Sequence, residues 1–203
     1  MDQTDIQQAL AALAEVDSDV ARALPEVGHP APRIRAAGFA TFLSIIVSQQ
    51  LSTESARAIM GRVETLLGES SAETVLATDA QDLRAAGLSF RKIEYAKGLA
   101  EAVASGQLDI AGLAGLSDDE AINSIVALRG FGRWSAEIYL MFSLGRQDIF
   151  PADDLALLVA LGRLKRLDSK PTPKQARELI AHWSPWRSAG SLFLWHYYRG
   201  APA

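Results

Sequence analysis

The chain has 203 residues, 49% of them apolar, no cysteine and a formal net charge of −4. That length suits one domain or two small lobes with a sizeable core, and the missing cysteine excludes disulfides, thiolate zinc sites and Cys-ligated iron–sulfur clusters. No apolar run approaches the roughly 18 residues of a membrane-spanning helix, and the acidic start MDQTDIQQAL lacks a signal-peptide pattern, so a soluble, intracellular protein is expected.

The acidic balance argues against a polyanionic partner only on average. Residues 1–30 hold six acids (Asp2, Asp5, Glu15, Asp17, Asp19, Glu26) and one base, Arg22, which leaves 19 bases against 18 acids in the remainder. A basic face beyond the N-terminus is compatible with this distribution.

Helix signals recur along the chain. Thr4…Gln7 reads as a capping box at the start of an N-terminal helix, and the Pro-rich stretch PEVGHPAPR (25–33) reads as the linker that follows. Further boxes occur at Thr78…Gln81, Ser117…Glu120 and Thr172…Gln175, the last with Pro173 at the first helical position. Gly68, Gly87, Gly106 and Gly145 read as stops. Apolar residues recur at helical spacing, as in Ile122, Ile125, Val126 and in Leu155, Leu158, Val159. Alternating strand patterns are scarce. About ten short helices and an all-α fold are expected.

The segment ALRGFGRWSAEIYLM (127–141) joins two of these helices, Ser117 to about Leu128 and Gly132 to about Gly145. Gly130 and Gly132 cost a helix roughly 1 kcal/mol each relative to alanine, so the turn needs bare backbone. The following helix opens with N–H groups and a positive dipole end, which bind phosphate without net basic charge. An ordinary αα-hairpin would use glycines in the same way.

The motif LRGFGRW, with Asp153 and Asp154 following in DIFPADDLALLVAL, resembles the helix-hairpin-helix/Gly-Pro-Asp superfamily of DNA glycosylases. IIVSQQLSTESA (45–56) and WSPWRSAGSLFLWHYY (183–198) are similar to the DNA-3-methyladenine glycosylase II branch. The resemblance spans about residues 38 to 199. It implies two helical lobes, a central one near 48–150 and a second from 1–47 plus 155–203, with a DNA-binding cleft between them. It also implies a monomer that acts on double-stranded DNA containing alkylated bases, without membrane association, and nucleoid-associated in the cytoplasm. Arg129 departs from the proline that many members carry, and fewer than forty residues precede the matched region, so the N-terminal β-sheet domain of some relatives is not expected.

The resemblance assigns roles residue by residue. Asp154 is the catalytic carboxylate, which stabilises positive charge on the deoxyribose and orients a water, with Asp153 as the cap of the next helix. The helix-cap reading of PADD alone needs no chemistry. Trp134 stands where strand-cleaving relatives carry a Schiff-base lysine, which implies hydrolysis without strand cleavage and an indole face for a cationic base. Trp195 matches a second wall of the base pocket and is equally compatible with a core position. Gln50 and Leu51 match the loop that fills the hole left by a flipped nucleotide; alternatively Ser52 caps a helix and Leu51 is its staple. Gly130, Gly132 and Arg133 are DNA-binding candidates, and the backbone carbonyls of Val126, Leu128 and Phe131 are candidate ligands of a monovalent cation such as Na⁺. No other cofactor is expected. Arg163, Lys165, Arg166 and Lys174 are further phosphate candidates or merely solvated. His29, His182 and His196 lack metal-ligand spacing, and Arg187 is read as a brace at a helix start. The other function classes are a non-catalytic helix-hairpin-helix DNA-binding module and a helical protein-interaction domain, which need neither PADD nor Trp134.

Overall fold

Asp2 starts the first helix by accepting from the backbone N–H of Asp5, while Asp5 reaches back to the Asp2 N–H. This box, and not Thr4…Gln7, satisfies the first orphan donors. The computed structural model describes residues 1–200, and among these all regular structure is helical. The chain divides into two compact units, one made of residues 1–35 with the C-terminal part from Glu137, the other of residues 36–136. The division thus falls earlier in the sequence than the expected 47 and 150, because the helix Phe39–Ser48 packs with the helices that follow it.

The first unit begins with α1 (Gln3–Val16) and α2 (Ser18–Val27). Asp17 separates them, as the C-cap of one and the N-cap of the other. Pro25 lies inside α2, so the linker begins at Gly28 and not at Pro25. The second unit holds α3 (Phe39–Ser48), α4 (Thr53–Leu67), α5 (Ala72–Ala77), α6 (Ala80–Ala85), α7 (Phe90–Ala104) and α8 (Asp118–Val126), with a short 3₁₀ turn at Gly112–Gly115. Its core joins Leu43 and Val47 of α3 to Val63, Val75, Leu83 and Ile93. Asp79 caps α6, one residue later than the Thr78 box implies; the Ser117 and Thr172 boxes form as read.

The chain leaves the second unit within α9 (Arg133–Phe142). The first unit then adds α10 (Leu155–Leu164), α11 (Pro173–Leu179), a 3₁₀ turn at Ala181–Trp183 and α12 (Arg187–Gly200). α12 packs against α10 and α1, burying Ile6, Leu10, Leu13, Leu161 and Phe193. Two polar anchors fix this unit. Arg187 clamps Asp148 with two bonds of 2.6 Å, the bidentate geometry that suits guanidinium and carboxylate. Buried Asp17, 3% exposed, accepts from Lys165 Nζ, from Trp183 Nε1 at 2.6 Å and pairs with His182 Nε2 at 2.9 Å. Lys165 is therefore an interior partner and not a phosphate contact. Among the described residues no helix is long and apolar enough to cross a membrane.

Candidate active site

In the second unit the hairpin runs from Ala127 to Gly132 between α8 and α9. Gly130 has φ +98, and a Cβ there would meet the ring of Tyr95 at 2.5 Å. Both facts demand glycine. Gly132 differs: its φ is ordinary and a Cβ would meet nothing within 4 Å, so bare backbone there leaves room for something outside the protein. Phe131, between them, is buried and meets Phe42 edge-on at 5.5 Å, which pins the turn to the core. Arg133 and Trp134 open α9 on its exposed side, with Trp134 42% exposed. Arg129, where the resemblance places proline, pairs with Glu94 of α7.

The loop after α3 lies beside this turn. Gln50 adopts φ +56, a left-handed conformation that costs a non-glycine residue on the order of 1 kcal/mol. Leu51 is 38% exposed and Ser52 caps α4 through the Ser55 N–H. Gln49, which the sequence reading passes over, donates from Nε2 to the Gly130 carbonyl at 2.7 Å. A cleft of about 380 Å³ is lined here by Gln49, Gln50, Lys92, Tyr95, Gly130 and Trp134. One surface of this unit thus carries the glycine turn, the strained loop and the tryptophan.

In the first unit the candidate carboxylate sits at the start of α10. Asp154, and not Asp153, is the N-cap: its Oδ1 accepts from the Leu157 N–H at 3.0 Å. The Asp154 N–H donates to the Pro151 carbonyl at 2.9 Å, and that turn sets the register. The same Oδ1 accepts from Trp195 Nε1 at 3.2 Å. Two donors on one oxygen fix the carboxylate's direction at a positive helix end. Trp195 is only 8% exposed, with Phe142 at 5.9 Å and the guanidinium of Arg33 5.3 Å from its ring centroid. Its ring is therefore covered, and it serves here as a donor to Asp154 and not as an open stacking wall.

The molecule is thus a helical protein with a bare-backbone hairpin and a positioned carboxylate at the head of a later helix. The chain belongs to the HhH-GPD superfamily of base excision DNA repair proteins, whose family model matches residues 43–185. DNA-3-methyladenine glycosylase 1 of Schizosaccharomyces pombe is 31% identical over 199 residues, covering 95% of this chain and 87% of that protein. The structure of that glycosylase in complex with abasic DNA matches with a TM-score of 0.84 at 31% identity, over 96% of this chain and 98% of that one. A DNA-3-methyladenine glycosidase from Bacillus halodurans matches with a TM-score of 0.84 at 32% identity, over 95% of this chain and 88% of that one. Bacillus subtilis YfjP is 32% identical over 161 residues, covering 75% of this chain and 56% of YfjP, so the chain spans little more than half of that relative.

Proposed function

We propose that the protein is a monofunctional DNA glycosylase that flips alkylated purines out of DNA and hydrolyses their N-glycosidic bond. The observation that carries this reading is the Asp154 carboxylate, held by Leu157 N–H and Trp195 Nε1 at the start of α10. As the bond to the base breaks, positive charge develops at the anomeric carbon. A preorganised carboxylate stabilises that charge and orients the attacking water, and it needs no reorganisation at the moment of reaction.

The hairpin supplies grip. Gly132 allows a phosphate to approach the first N–H groups of α9, where backbone and dipole favour an anion. The strained loop presents Gln50 and Leu51, with Leu51 as the apolar wedge that offsets part of the few kcal/mol of unstacking. Gln49 couples loop and hairpin, so both engage DNA as one element. Trp134 has no nucleophilic nitrogen, because its lone pair belongs to the ring; its exposed face stacks on the extruded base. The hairpin carbonyls of Val126, Leu128 and Phe131 are neutral oxygen donors of the kind a hard cation takes. The Leu128 carbonyl accepts from the Phe131 N–H at 3.2 Å and keeps a second lone pair. A monovalent ion held there would add positive charge for the phosphate. The site of action is intracellular DNA, and the working unit is a monomer.

Base release from methylated double-stranded DNA tests the reading, with alkali revealing abasic sites. Free base and an alkali-labile but otherwise intact strand are expected, with no covalent adduct trapped by borohydride. An adduct at stoichiometric yield would overturn the monofunctional reading; no base release would overturn the glycosylase reading.

A further inference from the structure

The stretch GHPAPR (28–33) contains the two prolines Pro30 and Pro32, whose fixed φ favours extended backbone. It forms an arm without regular structure between α2 and α3, tied down along its length. His196 Nε2 meets the Val27 carbonyl at 2.7 Å, Gln3 Nε2 donates to the Pro30 carbonyl at 3.4 Å and the Arg35 N–H donates to the Phe142 carbonyl at 2.9 Å. The arm therefore presents Arg33 at a set place. There the guanidinium lies 5.3 Å from the centroid of the Trp195 ring, and the indole N–H of that ring donates to Asp154. Trp195 is covered whereas Arg33 is exposed. The outermost group of this wall is thus a cation with five N–H donors, not an aromatic face.

We infer that Arg33 is a specificity-determining residue that favours neutral purine leaving groups, such as hypoxanthine and ethenoadenine, over cationic ones. This rests on the glycosylase reading above. The chemistry of departure gives the reason. When the C1′–N9 bond breaks, its electron pair goes to the base. A cationic methylated purine leaves as a neutral molecule. A neutral purine leaves with a negative charge, and takes a proton that the attacking water gives up as its oxygen bonds to C1′. A guanidinium beside the departing base lowers the cost of that developing charge and donates to ring nitrogens or a carbonyl. The same guanidinium repels a base that arrives positively charged. The partial desolvation of its guanidinium against the neighbouring chain, with Arg199 and Arg35 nearby, holds the Arg33 pKa below the ordinary arginine range, Asp154 acts in the opposite direction, and the group stays charged throughout. Phosphate binding by Arg33 is the competing role, and it would not distinguish leaving groups.

The test is single-turnover excision at saturating enzyme by wild type, Arg33→Ala and Arg33→Lys. The substrates are four duplexes carrying hypoxanthine, ethenoadenine, 3-methyladenine or 7-methylguanine, with affinity for an abasic-site analogue measured alongside. Wild type should excise at least one neutral base. Arg33→Ala should slow the neutral bases about tenfold or more and leave the cationic bases unchanged or faster. Arg33→Lys keeps the charge without the planar fork and should fall between. A uniform loss across the four bases, or a loss confined to abasic-site affinity, would overturn the inference while the glycosylase reading stands. Excision of cationic bases alone by wild type would also overturn it. Release of no base by wild type would defeat both.

Discussion

Trp195 donates its indole N–H to Oδ1 of Asp154, linking the middle of α12 to the first residue before α10 across 41 positions of sequence. On the proposed reading of Asp154, this bond makes a large buried side chain a support of the catalytic carboxylate. Trp195→Phe keeps the ring and removes the donor. A hydrogen bond to a charged group is worth about 1.5–3 kcal/mol, so the variant should lower the melting temperature and slow excision roughly tenfold, with affinity for an abasic-site analogue little changed. Single-turnover kinetics and thermal melts check both expectations.

Gly130 and Gly132 predict opposite behaviour. Gly130→Ala forces an L side chain into φ +98 and into the Tyr95 ring, so it should cost about 1–3 kcal/mol of stability and weaken DNA binding as well. At Gly132 an added Cβ meets nothing within 4 Å, so Gly132→Val should keep a melting temperature near that of wild type while its affinity for abasic DNA falls. Melts and fluorescence anisotropy separate the two positions. If Gly132→Val binds as tightly as wild type, the turn is only structural.

Acid stability should be dominated by Asp17. Burial alone would raise its pKa; hydrogen bonds from Lys165, Trp183 and His182 outweigh this and hold it at about 2, below the ordinary 3.8. The folded form therefore prefers the carboxylate. Its stabilisation is complete above about pH 4 and is lost as pH falls through about 2, a swing of roughly 2 kcal/mol. Asp17→Asn removes that swing and leaves Lys165 with Asp19 at 3.2 Å in place of a buried carboxylate, so it should cost about 3–5 kcal/mol at neutral pH. Urea titrations of both proteins between pH 2 and 7 check the window.

Features that act over a few residues were legible in the sequence. The Ser117 and Thr172 boxes and the glycine turn follow from spacing and local chemistry, whereas an open face for Trp134 was only what the family resemblance implied. Adjacent equals were not: PADD offers two acids for one cap, and only the turn from Pro151 to Asp154 decides between them. Nor were long-range partners. Nothing local tells Lys165 that its ammonium will meet Asp17, 148 residues away, or tells Gln49 that its amide will meet Gly130, 81 residues away. Arg33 stood within a stretch read only as a linker. Side chains whose work is set by a distant neighbour carry no period or motif, so they appear only when the packing is known.

Asp154 is proposed to supply the charge for base excision, and the structure makes Asp154→Asn an unusually clean variant. Asn caps a helix as well as Asp and its carbonyl oxygen can keep accepting from Leu157 N–H and Trp195, so shape and stability should survive while the charge is lost. The measurement is single-turnover release of 3-methyladenine from duplex DNA by wild type, Asp154→Asn and Asp153→Asn, with melting temperatures. Asp154→Asn should lose about 10²–10³-fold in rate, roughly 3–4 kcal/mol, with near-wild-type behaviour of Asp153→Asn. Wild-type-like excision by Asp154→Asn would contradict it.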